Sequence, residues 1–265
     1  MFQEINSLKA IIDNKRPFYP ELMATIAKKF REEWTYNTNA IEGNTMTLRE
    51  TAFFLREGLT VKGRTLREHL EIANHAEAID YLQDAIQHRD ISESLIKEFH
   101  ALLFNGVKLN NGGIPVTPGA YKLRDNHVLT PSGEIHYYTP ALQVPNEMEN
   151  LMTWYESNKK KIHPVELGAL FHHKLVAIHP FPDGNGRVSR LAMNFIIMEH
   201  GYPPAIIRRQ FRADYYNALE EADNGNPQSF IQLVAEEVKR SLGLIVKEIE
   251  RAAVREQQSN SADNG

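Results

Sequence analysis

Residues 179–187 bring a histidine, a carboxylate, two glycines and an arginine into one short segment between two helical patterns. Gly184 and Gly186 have no side chains, which allows backbone N–H groups to approach an anion closely. Arg187 begins the next helical pattern, and the N-terminal amides of a helix favour negative charge. His179, at the end of the preceding pattern, is a candidate general base. The segment therefore contains the groups needed to bind a polyphosphate and to remove a proton beside it.

Two charged residues extend this candidate site. Asp183 supplies a carboxylate, which is a preferred ligand of Mg²⁺ that bridges phosphate oxygens. Arg190 lies about one helical turn beyond Arg187 and therefore on the same face. Spacing alone leaves a purely structural turn open, because Asp-Gly and Asn-Gly pairs also form hairpins. The helical patterns on both sides disfavour a hairpin, so a phosphate-handling site is the favoured interpretation.

The elements that position this segment are predicted to be mostly helices. Apolar residues recur at spacings of three and four along 20–39, and Thr47 with Glu50 predicts a capping box at the start of the next helix. Further helices are predicted over 66–87, after Asp90, and over 145–158, 164–178, 188–200, 213–222 and 228–255. Two short strands are predicted around a hairpin turn, 127–130 and 135–138. The chain is therefore predicted to be all-α, a helical bundle with a short β-hairpin.

Composition narrows the class of protein. The chain has 265 residues, of which 42% are hydrophobic and 24% charged, as in ordinary globular domains. The sequence contains no cysteine, which excludes disulfides and thiolate metal sites and is compatible with a reducing compartment. No signal peptide or membrane-spanning stretch is recognised, so a cytoplasmic protein without a membrane partner is expected. The formal net charge of −4 argues against direct nucleic-acid binding.

The segment resembles a known family motif in every specified position. His-Pro-Phe-x-Asp-Gly-Asn-Gly-Arg runs from His179 to Arg187, a second arginine follows at Arg190, and this pattern is similar to the Fic-domain motif. Residues 39–44, 119–124 and 163–178 resemble other parts of the family. The resemblance implies a Fic-type helical bundle with a hairpin flap near the active site. It divides the chain into an N-terminal helical region with an inhibitory helix (1–90), a catalytic core (91–256) and a tail (257–265) that we expect to be disordered.

The resemblance implies a protein adenylyltransferase. Such an enzyme transfers AMP from ATP to a Ser, Thr or Tyr hydroxyl of a target protein or of itself, with Mg²⁺ or Mn²⁺. By position, His179 would be the catalytic base and Asp183 the metal ligand. The residues that the resemblance assigns to the phosphates and the nucleotide are Phe181, Gly184, Asn185, Gly186, Arg187, Arg190, Tyr215 and Tyr216.

For several of these nucleotide-binding and flap residues, a second interpretation stays open. Phe181, as an apolar side chain, is also expected to anchor the turn in the core. Adjacent tyrosines on a helix are often packing residues, so Tyr215 and Tyr216 line either the adenine pocket or the core. Where some relatives have an adenine-contacting Asn shortly after the tyrosines, this chain has Asp223-Asn224, which leaves base selectivity open. The flap would align the target by strand-like pairing, or merely cover the core; its residues are Thr130, Ser132, Gly133, Glu134 and Ile135.

A second segment predicts inhibition. Thr38 to Gly43 matches the inhibitory pattern Ser/Thr-x-x-x-Glu-Gly/Asn of one class in the family, with Thr38, Glu42 and Gly43 as its defining residues. Glu42 would pair with Arg190 and occupy the space of the ATP γ-phosphate. The alternative is that Glu42 simply ends a helix in solvent. In some relatives with this arrangement, the glutamate also helps to remove AMP from the target.

Rival functions remain open from the sequence. A Fic-type transferase can use another donor, such as UMP, phosphocholine or phosphate, and a non-catalytic regulatory or adaptor protein is the alternative from a different class. The complete motif favours an AMP-transferring enzyme. A homo-oligomer through the apolar stripe of Leu242, Ile245 and Ile249 is a further alternative, although that stripe favours an internal core position.

Overall fold

The computed structural model describes residues 2–107, 116–129 and 135–262. Its helices in the N-terminal half are α1 (Phe2–Asp13), α2 (Pro20–Ile41), α3 (Leu48–Glu57), α4 (Leu66–Ala85) and α5 (Glu93–Leu103). A two-stranded antiparallel hairpin follows, β1 (His127–Leu129) and β2 (Ile135–Tyr137), in which Val128 is paired with His136. The remaining helices are α6 (Val144–Asn158), α7 (Pro164–Ile178), α8 (Asn185–Glu199), α9 (Arg212–Asp223) and α10 (Gln228–Ala262). Single 3₁₀ turns at Ala141–Gln143 and Arg209–Phe211 precede α6 and α9.

Local sequence signals set several of these helix ends. Thr47 accepts a hydrogen bond from the Glu50 backbone N–H, and the Glu50 carboxylate accepts one from the Thr47 N–H, so the predicted capping box is confirmed. Gly58 ends the same helix in the left-handed conformation that glycine adopts without steric cost. Pro164 occupies the first turn of α7, where a missing N–H costs nothing.

Helices α7 and α8 form the centre of the bundle. Most residues of α8 are buried on all sides, including Arg190 and Asn194 as well as the apolar residues. Such a helix must be surrounded, and α8 contacts α7, α4, α5 and α2. Gly168 of α7 allows a close approach, because a Cβ there would lie 2.9 Å from Cγ1 of Ile197 on α8. The loop between these two helices is the segment with the candidate catalytic residues.

One hydrophobic core runs through both predicted regions of the chain. Trp34 and Ile79 from residues 1–90 belong to the same cluster as Phe195 and Val234 from residues 91–256. Leu242 and Ile245 are also buried in it, which confirms the internal position of that stripe. The division at residue 90 remains a prediction about function rather than a boundary between separate cores.

The structure corrects two expectations at the chain ends. Helix α1 was not predicted, although Ile5 and Ile12 show helical spacing and are buried; α1 packs on α10. Helix α10 continues to Ala262, so the tail expected to be disordered from residue 257 is helical over 257–262. Ala, Arg, Glu and Gln around residues 252–258 have high helix propensity, and polarity alone misled the prediction. Residues 263–265 lie outside the described part.

Within the described ranges, no helix combines the length and apolar character needed to cross a membrane.

Candidate active site

The turn between α7 and α8 begins at His179. Its backbone is left-handed, with φ of 52°, and its N–H donates to the Leu175 carbonyl at 3.1 Å. Among the described residues, His179 is the non-glycine residue with positive φ. Such backbone strain persists only where the surroundings enforce it, and it is concentrated at functional sites. Pro180 then prevents the helix from continuing, so the predicted base lies at a fixed, abrupt helix end.

Asn185 holds the loop in shape. Its Oδ1 accepts from the Phe181 N–H at 2.9 Å and its Nδ2 donates to the Phe181 carbonyl at 2.8 Å. The Phe181 ring is fully buried and stacks on His100 with centroids 4.0 Å apart. The side chain of Phe181 thus anchors the turn in the core, as expected, and its assignment to nucleotide binding stays a prediction. The Asn185 side chain is likewise occupied within the loop, which leaves its backbone N–H as its contribution to an anion site.

Both glycines of the loop are required by close neighbours. A Cβ on Gly184, whose φ is 79°, would lie 2.4 Å from Cε2 of Phe104. A Cβ on Gly186 would lie 2.7 Å from Oε1 of Glu42 and 3.1 Å from Nη1 of Arg190. The loop therefore approaches an aromatic ring on one side and an ion pair on the other.

Asp183 is suited to a magnesium ion that is held mainly by phosphates. Its side chain is 42% exposed and lies 3.8 Å from Nη2 of Arg187. One oxygen accepts the Gly184 N–H at 2.6 Å. Mg²⁺ at nucleotide sites commonly takes one or two carboxylates and completes its shell with phosphate oxygens and water. The described residues contain no group of three or more metal-binding side chains, and this single carboxylate beside the loop fits that mode of binding.

Arg187 lies beneath the loop. Its guanidinium is almost fully buried, 5.1 Å from the Phe104 ring centroid and 4.0 Å from Oε1 of Glu71. Within the described part of the chain, its Nε has no hydrogen-bond partner. A buried donor without an acceptor is costly. An anion bound at the loop would supply the acceptor, as the predicted role of Arg187 in phosphate binding requires.

The structure brings Arg190 and Glu42 together. Nη2 of Arg190 donates to Oε1 of Glu42 at 2.6 Å, although the two residues are 148 positions apart. Thr38 binds the same guanidinium, with its Oγ1 2.7 Å from Nε and its carbonyl 3.3 Å from Nη2. Arg190 is 2% exposed whereas the Glu42 side chain is 32% exposed. Of the predicted inhibitory residues, Thr38 and Glu42 thus contact the motif, and Glu42 is the more exposed partner of the pair.

Electrostatics keep Glu42 ionised. Burial alone would raise the pKa of its carboxyl, but the charges of Arg190, Arg187 and Arg212 outweigh burial and lower the pKa below its ordinary value. Gly43 adopts φ of 97° directly after it and ends α2, which turns the chain away at this point.

The hairpin reaches the base through Tyr138, which directly follows β2. The Tyr138 and His179 rings are stacked, with centroids 3.7 Å apart and an interplanar angle of 15°. The backbone N–H of Lys122 donates to the Pro180 carbonyl at 2.9 Å and ties the preceding segment to the motif. Of the predicted flap residues, Ile135 is 50% exposed; Thr130, Ser132, Gly133 and Glu134 lie outside the described residues.

The two adjacent tyrosines have different positions. Tyr215 is buried in the core, and its hydroxyl lies 3.2 Å from Nη1 of Arg190; its assignment to the adenine pocket stays a prediction. Tyr216 is half-buried, and the Arg212 guanidinium lies 4.8 Å from its ring centroid. Arg212 also donates to the Ile41 carbonyl at 2.8 Å, at the end of α2. Tyr216 remains a candidate for base contact. Asp223 is hydrogen bonded to His173 at 2.8 Å.

Sequence reasoning missed several residues of the site. Glu71, Phe104, Tyr138 and Arg212 contact the motif or the inhibitory segment from distant parts of the chain. Each of them belongs to a common residue type on an ordinary helix or loop, so neither spacing nor composition marked them. His172 was also missed, although it lies on α7 seven positions before the base.

The fold and the site together define a class: a helical bundle that presents a histidine beside a glycine- and arginine-lined anion loop. Residues 90–197 match the Fic/DOC family. A Fic-domain-containing signalling protein from Bacteroides thetaiotaomicron has a similar structure, with a TM-score of 0.86 and 31% identity over 93% of this chain and 97% of that chain. The chain belongs to the Fic/DOC family.

Curated relatives cover most of this chain. The protein adenylyltransferase Fic of Nematostella vectensis is 36% identical over 214 residues, which are 78% of this chain and 47% of the relative. The protein adenylyltransferase fic-1 of Caenorhabditis elegans is 30% identical over 89% of this chain and 46% of the relative. The chain therefore spans about half the length of the curated relatives it matches.

Proposed function

We propose that this protein is an autoinhibited adenylyltransferase, which transfers AMP from ATP to a hydroxyl group of a target protein and of itself. The observation that carries the proposal is the ion pair between Glu42 and Arg190, whose Oε1 and Nη2 atoms lie 2.6 Å apart. The pair lies next to Gly186, within a complete His179-to-Arg187 motif. The names of the relatives support the chemistry.

The proposed reaction is an in-line displacement at the α-phosphorus of ATP. A Ser, Thr or Tyr hydroxyl oxygen forms the new P–O bond, its proton passes to His179, and the bond to the bridging oxygen breaks so that pyrophosphate leaves. The loop amides from Gly184 to Gly186 and the Arg187 guanidinium stabilise the charge on the phosphates. Mg²⁺ or Mn²⁺ held by Asp183 would supply further neutralisation of that charge.

Inhibition follows from competition for one cation. The γ-phosphate of ATP and the Glu42 carboxylate are both anions that need Nη2 of Arg190, and the buried guanidinium cannot follow either of them outward. With Glu42 in place, the triphosphate would meet a like charge at the site of its terminal phosphate. ATP is then excluded or held with its α-phosphate misplaced for attack.

Radiolabelled ATP tests both parts of the proposal. Glu42→Gly should raise AMP incorporation into the protein itself and into lysate proteins, and His179→Ala in that background should abolish it. Glu21→Gln serves as a matched control, because Glu21 is an exposed acid in the first turn of the same helix. Equal labelling by the wild type and the Glu42 variant would refute the inhibition. No labelling by the Glu42 variant with any nucleoside triphosphate would refute the activity.

The nucleotide and the direction of transfer need separate measurements. ATP is the proposed donor, and labelled UTP, GTP and CTP should give less incorporation with the Glu42→Gly protein. The pair Asp223-Asn224, at the place where some relatives have an adenine-contacting Asn, makes this comparison informative. Removal of AMP by the wild type would be seen as loss of label from protein that the Glu42→Gly variant has modified. Mass spectrometry of the treated lysate would identify the modified hydroxyls and thereby the target.

We also propose that the protein acts in the cytoplasm. The chain has no cysteine and therefore no disulfide bonds, which is compatible with this reducing compartment. Fractionation of the cells that produce it would test this location, and recovery with membranes or outside the cell would contradict it.

A further inference from the structure

Two buried residues, Tyr215 and His172, form a hydrogen-bonded series with Arg190. Tyr215 of α9 lies within hydrogen-bond distance of Arg190 on α8, and His172 of α7 lies behind Tyr215. All three side chains are almost completely buried. The reaction proposed above assigns no step to Tyr215 or to His172.

The hydrogen-bond inventory fixes the direction of this chain. A guanidinium only donates, so the Tyr215 oxygen accepts from Nη1 of Arg190, 3.2 Å away. The Tyr215 hydroxyl also lies 3.0 Å from Nε2 of His172, which accepts the hydroxyl proton in the tautomer that carries its hydrogen on Nδ1. Burial, and after it the charge of Arg190, lowers the pKa of His172 well below its ordinary value, so the imidazole stays neutral. This series of hydrogen bonds therefore runs from the Arg190 cation through the Tyr215 hydroxyl to the neutral imidazole of His172.

Thr38 fixes the guanidinium from another side. Its Oγ1 lies 2.7 Å from Nε and its carbonyl 3.3 Å from Nη2, and Thr38 is itself buried. Of the partners of Arg190 among the described residues, Glu42 is the one with an exposed side chain, and it is therefore the partner that can exchange. The other contacts can stay in place whichever anion is bound.

We propose that Tyr215 and His172 are positioning residues, which keep the guanidinium of Arg190 directed at the cleft so that it binds the terminal phosphate of ATP when Glu42 withdraws. This inference rests on the proposed function. Without the Tyr215 hydroxyl, Nη1 loses its buried acceptor, and the guanidinium can turn toward another partner. Binding of the γ-phosphate should then weaken, whereas binding of the rest of the nucleotide should not.

Calorimetric titration of Glu42→Gly protein with ATP and with ADP, each in Mg²⁺, separates these effects, because only ATP has a γ-phosphate. In this background Tyr215→Phe should reduce the preference for ATP over ADP by about tenfold, as expected for loss of a hydrogen bond to a charged group, and should leave ADP affinity nearly unchanged. Tyr155→Phe is the matched control, since Tyr155 is a buried tyrosine of α6 whose hydroxyl contacts Glu199. It should not change the preference.

A second variant tests the other link in the chain. His172→Phe keeps a ring but removes the acceptor, so it should lower the ATP preference in the same direction, by less than Tyr215→Phe. The double variant should lose no more than Tyr215→Phe alone, since both substitutions act through one hydroxyl.

An unchanged ATP preference in Tyr215→Phe, or equal losses for ATP and ADP, would overturn the proposal. If thermal unfolding shows that Tyr215→Phe does not fold, His172→Phe decides the question by the same criteria. Failure of the proposed function would show earlier and differently, as a Glu42→Gly parent that binds ATP no better than ADP.

Discussion

Replacement of Glu42 by glutamine should destabilise the protein in a way that depends on pH. Breaking a buried ion pair costs about 3–5 kcal/mol, and an exposed pair contributes about 0–1 kcal/mol. In this pair Arg190 is 2% exposed and the Glu42 side chain 32% exposed. An intermediate loss of about 2 kcal/mol in the free energy of unfolding is therefore expected at neutral pH, or about 4–8 °C in melting temperature.

The sign of the pH dependence follows from the pKa of Glu42. Its folded-state pKa is lowered from the ordinary value of 4.5, so its stabilisation is fully present above that value and is lost as pH falls through the folded pKa. The stability difference between wild type and Glu42→Gln should therefore be constant near neutrality and shrink toward zero in acid.

Urea unfolding followed by circular dichroism, at a series of pH values, measures this difference directly. Glu21→Gln controls for loss of one negative charge on the same helix. Equal stability of wild type and Glu42→Gln at neutral pH would refute the reasoning. A difference that persists unchanged in strong acid would also refute it, because the glutamate would then act through packing and not through charge.

Substitutions at three further positions probe the loop and the base. Gly184→Ala places a Cβ at positive φ and 2.4 Å from a phenylalanine ring, so it should lower the free energy of unfolding by about 2–4 kcal/mol, measured by urea titration. Asn185→Ala removes both hydrogen bonds to the Phe181 backbone and should lower the free energy of unfolding by about 2–3 kcal/mol. In the Glu42→Gly background it should also abolish most of the AMP transfer. Undiminished transfer would show that these two hydrogen bonds are not needed for activity. Tyr138→Phe should preserve the ring stacked on His179 and the rate of transfer. Tyr138→Ala should lower kcat by about tenfold, which corresponds to the energy of one aromatic pair. Equal kcat values for the two variants would contradict a role for the stacked ring.

Much of the bundle was predictable because its signals are local. The Thr47 capping box and the start of α7 at Pro164 each depend on residues within one helical turn, and each was placed correctly. Propensity and polarity gave conflicting signals at the C-terminus, where helix-forming residues extend α10 through a stretch that polarity marked as disordered.

The candidate site was predictable where residues follow one another in the chain. The motif from His179 to Arg187 carries its chemistry in its spacing, and the contact between Glu42 and Arg190 was expected from family resemblance rather than from physical reasoning. The stacking of Tyr138 on His179 and the burial of Tyr215 behind Arg190 depend on how distant helices and the hairpin pack. No periodicity within a single segment contains that information.

Helix α2, which ends directly before Glu42, also contributes to the hydrophobic core of the protein. Ile26, Phe30, Trp34 and Ile41 of this helix are buried in the common core, and removal of the helix would expose that core to water. Helix α2 therefore cannot be removed, or separated from the rest of the bundle, without loss of the fold. In the proposed mechanism, release of inhibition therefore needs only the withdrawal of the Glu42 side chain, with α2 left in place.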